Sequence, residues 1–174
     1  MTKDNAQKMQ FGHFHEFPVG TIFQGRKLLK KHGLHFHIQN GISYTVDDAA
    51  DAIVLSGGYI DDEDRGDNII YTGMGGRITD GRCQIEDQTF TKGNLALVLN
   101  HEQNIPVRVF SHVERTSSDY VYRGLYEVSR YWSTQGQDSF QICRYQLTKI
   151  DELAFVHPQH IHVAVNDLDN DQIA

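Results

Sequence analysis

The run SGGYIDDEDRGDNIIYTGMGGR, residues 56–77, gathers the residue types that recognise a flat polar ligand. Tyr59 and Tyr71 sit near turns on either side of an acidic loop bounded by glycines. An aromatic ring beside flexible backbone is readily presented as a stacking face. Stacking one nucleobase on such a face contributes roughly 1–3 kcal/mol, so two faces would offset the few kcal/mol that unstacking and unpairing a base cost. An acid in the loop adds identity. Cytosine offers an exocyclic amine, which a carboxylate accepts; thymine offers an oxygen there, which a carboxylate repels. Spacing alone leaves a plainer alternative open, with both tyrosines in the core or on a sheet surface and the acids solvating a turn.

Other clusters could do different chemistry. His13-Phe14-His15-Glu16 and His35-Phe36-His37 would place imidazoles on one strand face, as cupin-like metal sites do. A cupin also needs a spaced Glu and a further His on a matching strand, and that set is not found. Phosphate contacts or surface positions fit His13, His15, His35 and His37 better; a metal-dependent enzyme is the alternative reading. The tail His157-Pro158-Gln159-His160-Ile161-His162 invites a nuclease reading, but the residues there are too few for a ββα-metal module. Arg26, Lys27, Lys30, Lys31 and His32 form the densest basic cluster and suit either a DNA backbone or a solvated face. Cys83 and Cys143 lack CxxC spacing and an activating partner, so both are expected to be free, non-catalytic thiols. No catalytic residue, metal or cofactor is expected.

These residues need elements to hold them. Alternating or short apolar runs at Thr21–Phe23, Ile53–Leu55, Ile69–Tyr71, Val107–Phe110, Gly124–Val128 and Phe140–Leu147 read as strands. Lys92–Asn100 reads as a helix, with Thr91 as cap and Leu95, Ala96 and Leu99 as its buried stripe. Short strands with one or two helices favour a curled sheet or barrel, mostly β with flanking helices, over a doubly wound fold. Residues 1–10 read as a loose leader, 11–149 as one domain, and 150–174 as an acidic tail or linker.

The chain has 174 residues and a formal charge of −7, which looks wrong for a nucleic-acid binder. The charge is uneven. Eight acids lie in residues 47–67 and five in 150–174; outside those segments fifteen basic side chains face ten acidic ones. DNA is therefore not excluded, although a long, purely electrostatic track is not expected. No apolar run is long enough to cross a bilayer, and the polar start lacks a signal-peptide core, so a cytoplasmic protein without a membrane partner is expected.

The residues in 56–77 resemble the signature of the SRA (SET- and RING-associated, or YDG) domain. The resemblance continues in order through FHEFPVGTIF, GISYTVDDAADAIVLSGGY, NLALVLN, PVRVF and YRGLYEVSRYWSTQGQDSFQICRYQL, covering about Phe11 to Lys149. It implies a curled, PUA-like β-barrel with flanking helices that reads 5-methylcytosine in double-stranded DNA, with 5-hydroxymethylcytosine as a second candidate. The flipped base would lie between Tyr59 and Tyr71. Asp62 matches the acid that recognises the cytosine amine and Thr72 the following threonine. Gly73 and Met74 fall beside the C5 substituent. The loop around Gln39 matches a minor-groove probe. The loop 78–86, with Arg82 and Gln84, matches a finger entering the major groove; Arg77 precedes it, and Arg26 and Lys27 are candidate backbone contacts.

Bacterial SRA proteins of this type join the domain to a C-terminal HNH nuclease, so the chain is expected to be the specificity domain of a modification-dependent restriction endonuclease. It departs from the family pattern in three ways. Tyr122-Arg123-Gly124 carries Arg123 where the family has an acid, which makes Arg123 a candidate phosphate contact. Met74 is larger than the usual residue. The finger loop is short, so a preference for hemimethylated CpG does not follow.

Overall fold

A computed structural model describes residues 8–78 and 83–150, together with the backbone of 162–163. Its strands are β1 (Ile22–Gln24), β2 (Ile42–Ser43), β3 (Ala52–Leu55), β4 (Glu63–Asp64), β5 (Asn68–Thr72), β6 (Val107–His112), β7 (Asp119–Gln135), β8 (Gln141–Lys149) and β9 (His162–Val163). Two helices, α1 (Arg26–Lys31) and α2 (Gly93–Gln103), complete the described elements. The strands form one mixed sheet in the order β2-β3-β6-β7-β8-β5-β4, with β1 pairing β7 and β9. The fold is mostly β with flanking helices.

Alternation along β3 builds the two cores. Ile53 and Leu55 join one cluster with Ile69, Tyr71, Leu97, Val109 and Tyr145. Ala52 and Val54 join the other with Phe23, Leu28, Leu29, Phe110 and Tyr122. Successive strand side chains point to opposite faces, so α2 covers one face of the sheet and α1 the other. The 17-residue β7 serves both halves, pairing β1 and β6 early and β8 later. It bends where Val109 pairs Gly124 but Phe110 pairs Tyr122, leaving Arg123 as the extra residue. Gly124 there has φ 106, a left-handed value that suits glycine at a bulge.

Several sequence expectations change. The helix starts at Gly93, its cap position is Lys92 and not Thr91, no side chain caps it, and Leu95 is 41% exposed. Asn94 and Asn100 take inward positions instead, because their amides bind loop backbone. The basic cluster contains α1, whose Leu28 and Leu29 are buried. The histidine segments are not strands, so no shared strand face exists: His35 is fully buried, and His37 Nε2 bonds Tyr44 O at 3.1 Å. Among the described residues no group of three or more His, Cys, Asp or Glu could hold a metal ion. Among them, too, no helix is long and apolar enough to cross a membrane. The expected tail lies almost wholly outside the described residues, but β9 runs parallel to β1.

Candidate functional site

β5 delivers two of the expected residues. Tyr71 is only 3% exposed, and Thr72 beside it is fully buried. Tyr71 Oη packs so closely on Gly41 that a Cβ there would collide with it; this brings the 39–41 segment over the phenol. The hairpin of β4 and β5 folds Asp62 back onto β5, where its Oδ1 accepts the Thr72 N–H at 2.8 Å. Burial raises the Asp62 carboxyl to about 6, against the opposing pull of that N–H and of Arg144. At neutral pH the group is mostly ionised, with one oxygen committed to Thr72. Burial raises the Tyr71 phenol well above its ordinary range, so it stays neutral.

Tyr59 lines the same cavity as Tyr71. It is half-buried, and its Oη accepts the Gly75 N–H at 3.2 Å. The Arg77 guanidinium lies 4.6 Å from the Tyr59 ring centre and donates to Gly58 O. Tyr59, Asp62 and Tyr71 line one cavity of about 260 Å³ with Gln39, Met74 and Arg77. That volume suits a small flat ligand. A wider cavity of about 570 Å³ adjoins it, sharing Tyr59 and Asp62. It lacks Tyr71 and Met74 from its walls and carries His112 beside Tyr59 in place of a second phenol.

Gly73 and Met74 are held from behind by amides that sequence reasoning missed. Asn94 Oδ1 accepts the Met74 N–H at 2.8 Å, and its Nδ2 donates to Met74 O at 3.0 Å. A Cβ on Gly73 would lie 2.5 Å from Asn94 Oδ1, so only glycine fits this approach. Gln88 Nε2 donates to Gly73 O at 2.8 Å, while its Oε1 accepts the Cys143 N–H at 3.0 Å.

The SAD/SRA domain profile matches residues 10–153. The chain belongs to the SAD/SRA domain family. It is 37% identical to "Histone-lysine N-methyltransferase family member SUVH9" of Arabidopsis thaliana, covering 84% of this chain and 24% of that protein. Among solved structures, "Modification dependent TagI restriction endonuclease" is 43% identical with a TM-score of 0.77, over 83% of this chain and 54% of that one. The SUVH5 SRA bound to fully hydroxymethylated CG DNA is 35% identical with a TM-score of 0.73, over 85% of this chain and 99% of that one. The chain thus spans about a quarter of the curated relative and about half of TagI.

Two cations and one amide expected on the DNA side of this SRA domain turn inward. Arg26 Nη2 donates to His37 O at 2.8 Å and to Asn40 O, and lies 3.3 Å from His35 Nδ1. It therefore clamps the segment carrying exposed Gln39 instead of facing a phosphate. Lys27 on α1 is exposed. Arg123 binds both Asp64 oxygens and Gly66 O, so it holds the β4–β5 turn and is no free phosphate contact. Gln84 is 6% exposed, and its Nε2 donates to Gly75 O at 2.9 Å and Glu86 O at 2.7 Å. It fastens the base of the finger and does not reach outward. Arg82 lies outside the described residues.

The acidic run is likewise used internally. Arg144 Nη2 sits 3.3 Å from Glu63 Oε1 and its Nη1 4.0 Å from Asp61 Oδ1. Asp51 is fully buried against Arg108 at 2.6 Å, and Arg108 also ties down Gln10 O and Gly12 O.

Proposed function

We propose that this SRA domain reads 5-methylcytosine in double-stranded DNA, and 5-hydroxymethylcytosine as well, by swinging the modified base out of the duplex into the cavity between Tyr59 and Tyr71. The observation that carries the reading is the gathering of Tyr59, Asp62, Tyr71 and Met74 around one cavity of about 260 Å³. The similarity to an SRA domain solved with hydroxymethylated CG DNA supports the same ligand class.

Energetics support it too. Stacking on two rings contributes about 2–6 kcal/mol in total, enough to offset unpairing and unstacking. Asp62, with one oxygen on Thr72, has its second oxygen left for the cytosine amine. Burying one methyl is worth only about 0.8 kcal/mol, so preference for methylated over plain cytosine is modest. Affinity leans on phosphate contacts and falls with salt. The chain acts by binding. The match to about half of TagI supports a nuclease in the full-length protein as the effector.

Equilibrium titration of otherwise identical duplexes with plain, methylated or hydroxymethylated cytosine tests the reading. Tighter binding of modified duplexes, lost with Tyr59→Ala, is expected. Equal affinity for all three would overturn it. Cleavage of methylated plasmid by this chain with Mg²⁺ or Mn²⁺ would instead favour the metal-enzyme alternative.

A further inference from the structure

Met74 lines the cavity, yet the position of its sulfur is set from outside it. Asn94 holds Met74 at both its N–H and its carbonyl, so the backbone cannot retreat. The sulfur instead rests over Gly93, 2.6 Å from where a Cβ on Gly93 would stand. Tyr44 closes the other side of that point, with ring carbons at 3.0 and 3.1 Å. Tyr44 is itself backed by His37, whose ring centre is 5.2 Å away. Gly93 is buried and its φ is not left-handed, so backbone conformation does not demand glycine there. The demand comes from Met74 and Tyr44.

Resting on the proposed base-binding role of this cavity, we infer that Gly93 determines the largest C5 group the pocket accepts, by giving the Met74 thioether a recess outside it. The two residues work as a pair. A side chain at 93 meets a braced Tyr44 and a flexible thioether, and the thioether is the part that moves. Met74 packs on the main core, Asn94 fixes its backbone and its remaining side faces the cavity it lines, so a displaced thioether moves into that cavity. Gly93 is thus a specificity-determining residue that need not touch the base.

The test is a double-mutant cycle with Gly93→Ala, Met74→Ala and both, each titrated with duplexes carrying plain cytosine, 5-methylcytosine and 5-hydroxymethylcytosine. Alanine favours a helix more than glycine does, and thermal melting checks that the fold is kept. Gly93→Ala is expected to lose about tenfold in affinity for 5-hydroxymethylcytosine relative to plain cytosine, the scale of a tight packing clash, and less for 5-methylcytosine. In the Met74→Ala background the added methyl is expected to change none of these ratios. Unchanged ratios in Gly93→Ala, in a protein whose wild type prefers modified cytosine, would overturn the inference and leave the reader function standing. An equal effect of Gly93→Ala with and without Met74 would overturn it as well. If Gly93→Ala melts early, the Met74→Ala single variant decides: wider tolerance of large C5 groups supports the pair, and unchanged tolerance refutes it. A wild type blind to modification would remove the base-binding reading and the inference together.

Discussion

Asp62→Asn is expected to redirect the pocket from cytosine toward thymine. In the wild type, Oδ1 accepts the Thr72 N–H at 2.8 Å, leaving Oδ2 for the base. An asparagine amide has one acceptor and one donor end. Keeping the Thr72 bond turns its NH₂ toward the base, where it opposes the cytosine amine and suits the thymine O4. Losing a charge-assisted acceptor costs about 1.5–3 kcal/mol, and the new bond to thymine returns about 0.5–1.5 kcal/mol. The cytosine-to-thymine ratio should shift by about 2–4.5 kcal/mol, or about 30- to 2,000-fold. The assay is competition at neutral pH between duplexes with 5-methylcytosine or thymine opposite guanine, so that the mismatch keeps thymine easy to extrude. Thermal melting should show a fold at least as stable as wild type, because the variant keeps the Thr72 bond and removes a buried charge. A loss equal for both duplexes would refute the reasoning and make Asp62 a support for β5.

Further outcomes follow from the same geometry. Tyr59→Ala should weaken binding to a methylated duplex by about 1–3 kcal/mol with little change in melting, since the ring is half-buried; Tyr71→Ala should also lower stability, because that ring is in the core. Affinity should be flat above neutral pH and fall as pH drops through about 6, as the Asp62 acceptor becomes protonated, and Asp62→Asn should remove the trend. The raised carboxyl acts on stability in the opposite sense: Asp62 contributes most below the ordinary carboxylate range, and that contribution is lost as pH rises through about 6. Arg26→Ala should weaken binding by loosening the Gln39 segment without changing the slope of affinity against salt, whereas Lys27→Ala, if it meets phosphate, should reduce that slope by about one.

The strands were legible because they carry short runs rich in β-branched and aromatic residues, as in Ile69 to Tyr71 and Val107 to Phe110. The far half of β7 was not, because beyond Val128 its side chains are largely exposed and no apolar period marks it. The six-residue α1 hid inside a basic cluster, since only Leu28 and Leu29 betray its buried side. In α2 the apolar stripe misled: Leu95 looked inward, but buried amides of Asn94 and Asn100 outrank it by satisfying loop carbonyls and N–H groups. Tyr59, Asp62, Tyr71 and Met74, which line one cavity, stand out through the family pattern and not through spacing, whereas Thr72 and Gly73 do not line it. The inward turn of Arg26, Arg123 and Gln84 was not legible, because a sequence shows a guanidinium or amide but not the carbonyls that distant loops bring to it. Asn94 and Gln88 carried no signal of their own, as their role exists only once β5, β8 and α2 meet.

The most direct test is a crystal structure of this domain with a duplex holding one 5-methylcytosine. That base is expected outside the helix, its ring between Tyr59 and Tyr71 and its amine within hydrogen-bond reach of Asp62. A methylated base still stacked in the duplex, with the cavity beside Tyr71 holding no nucleotide, would contradict the proposal.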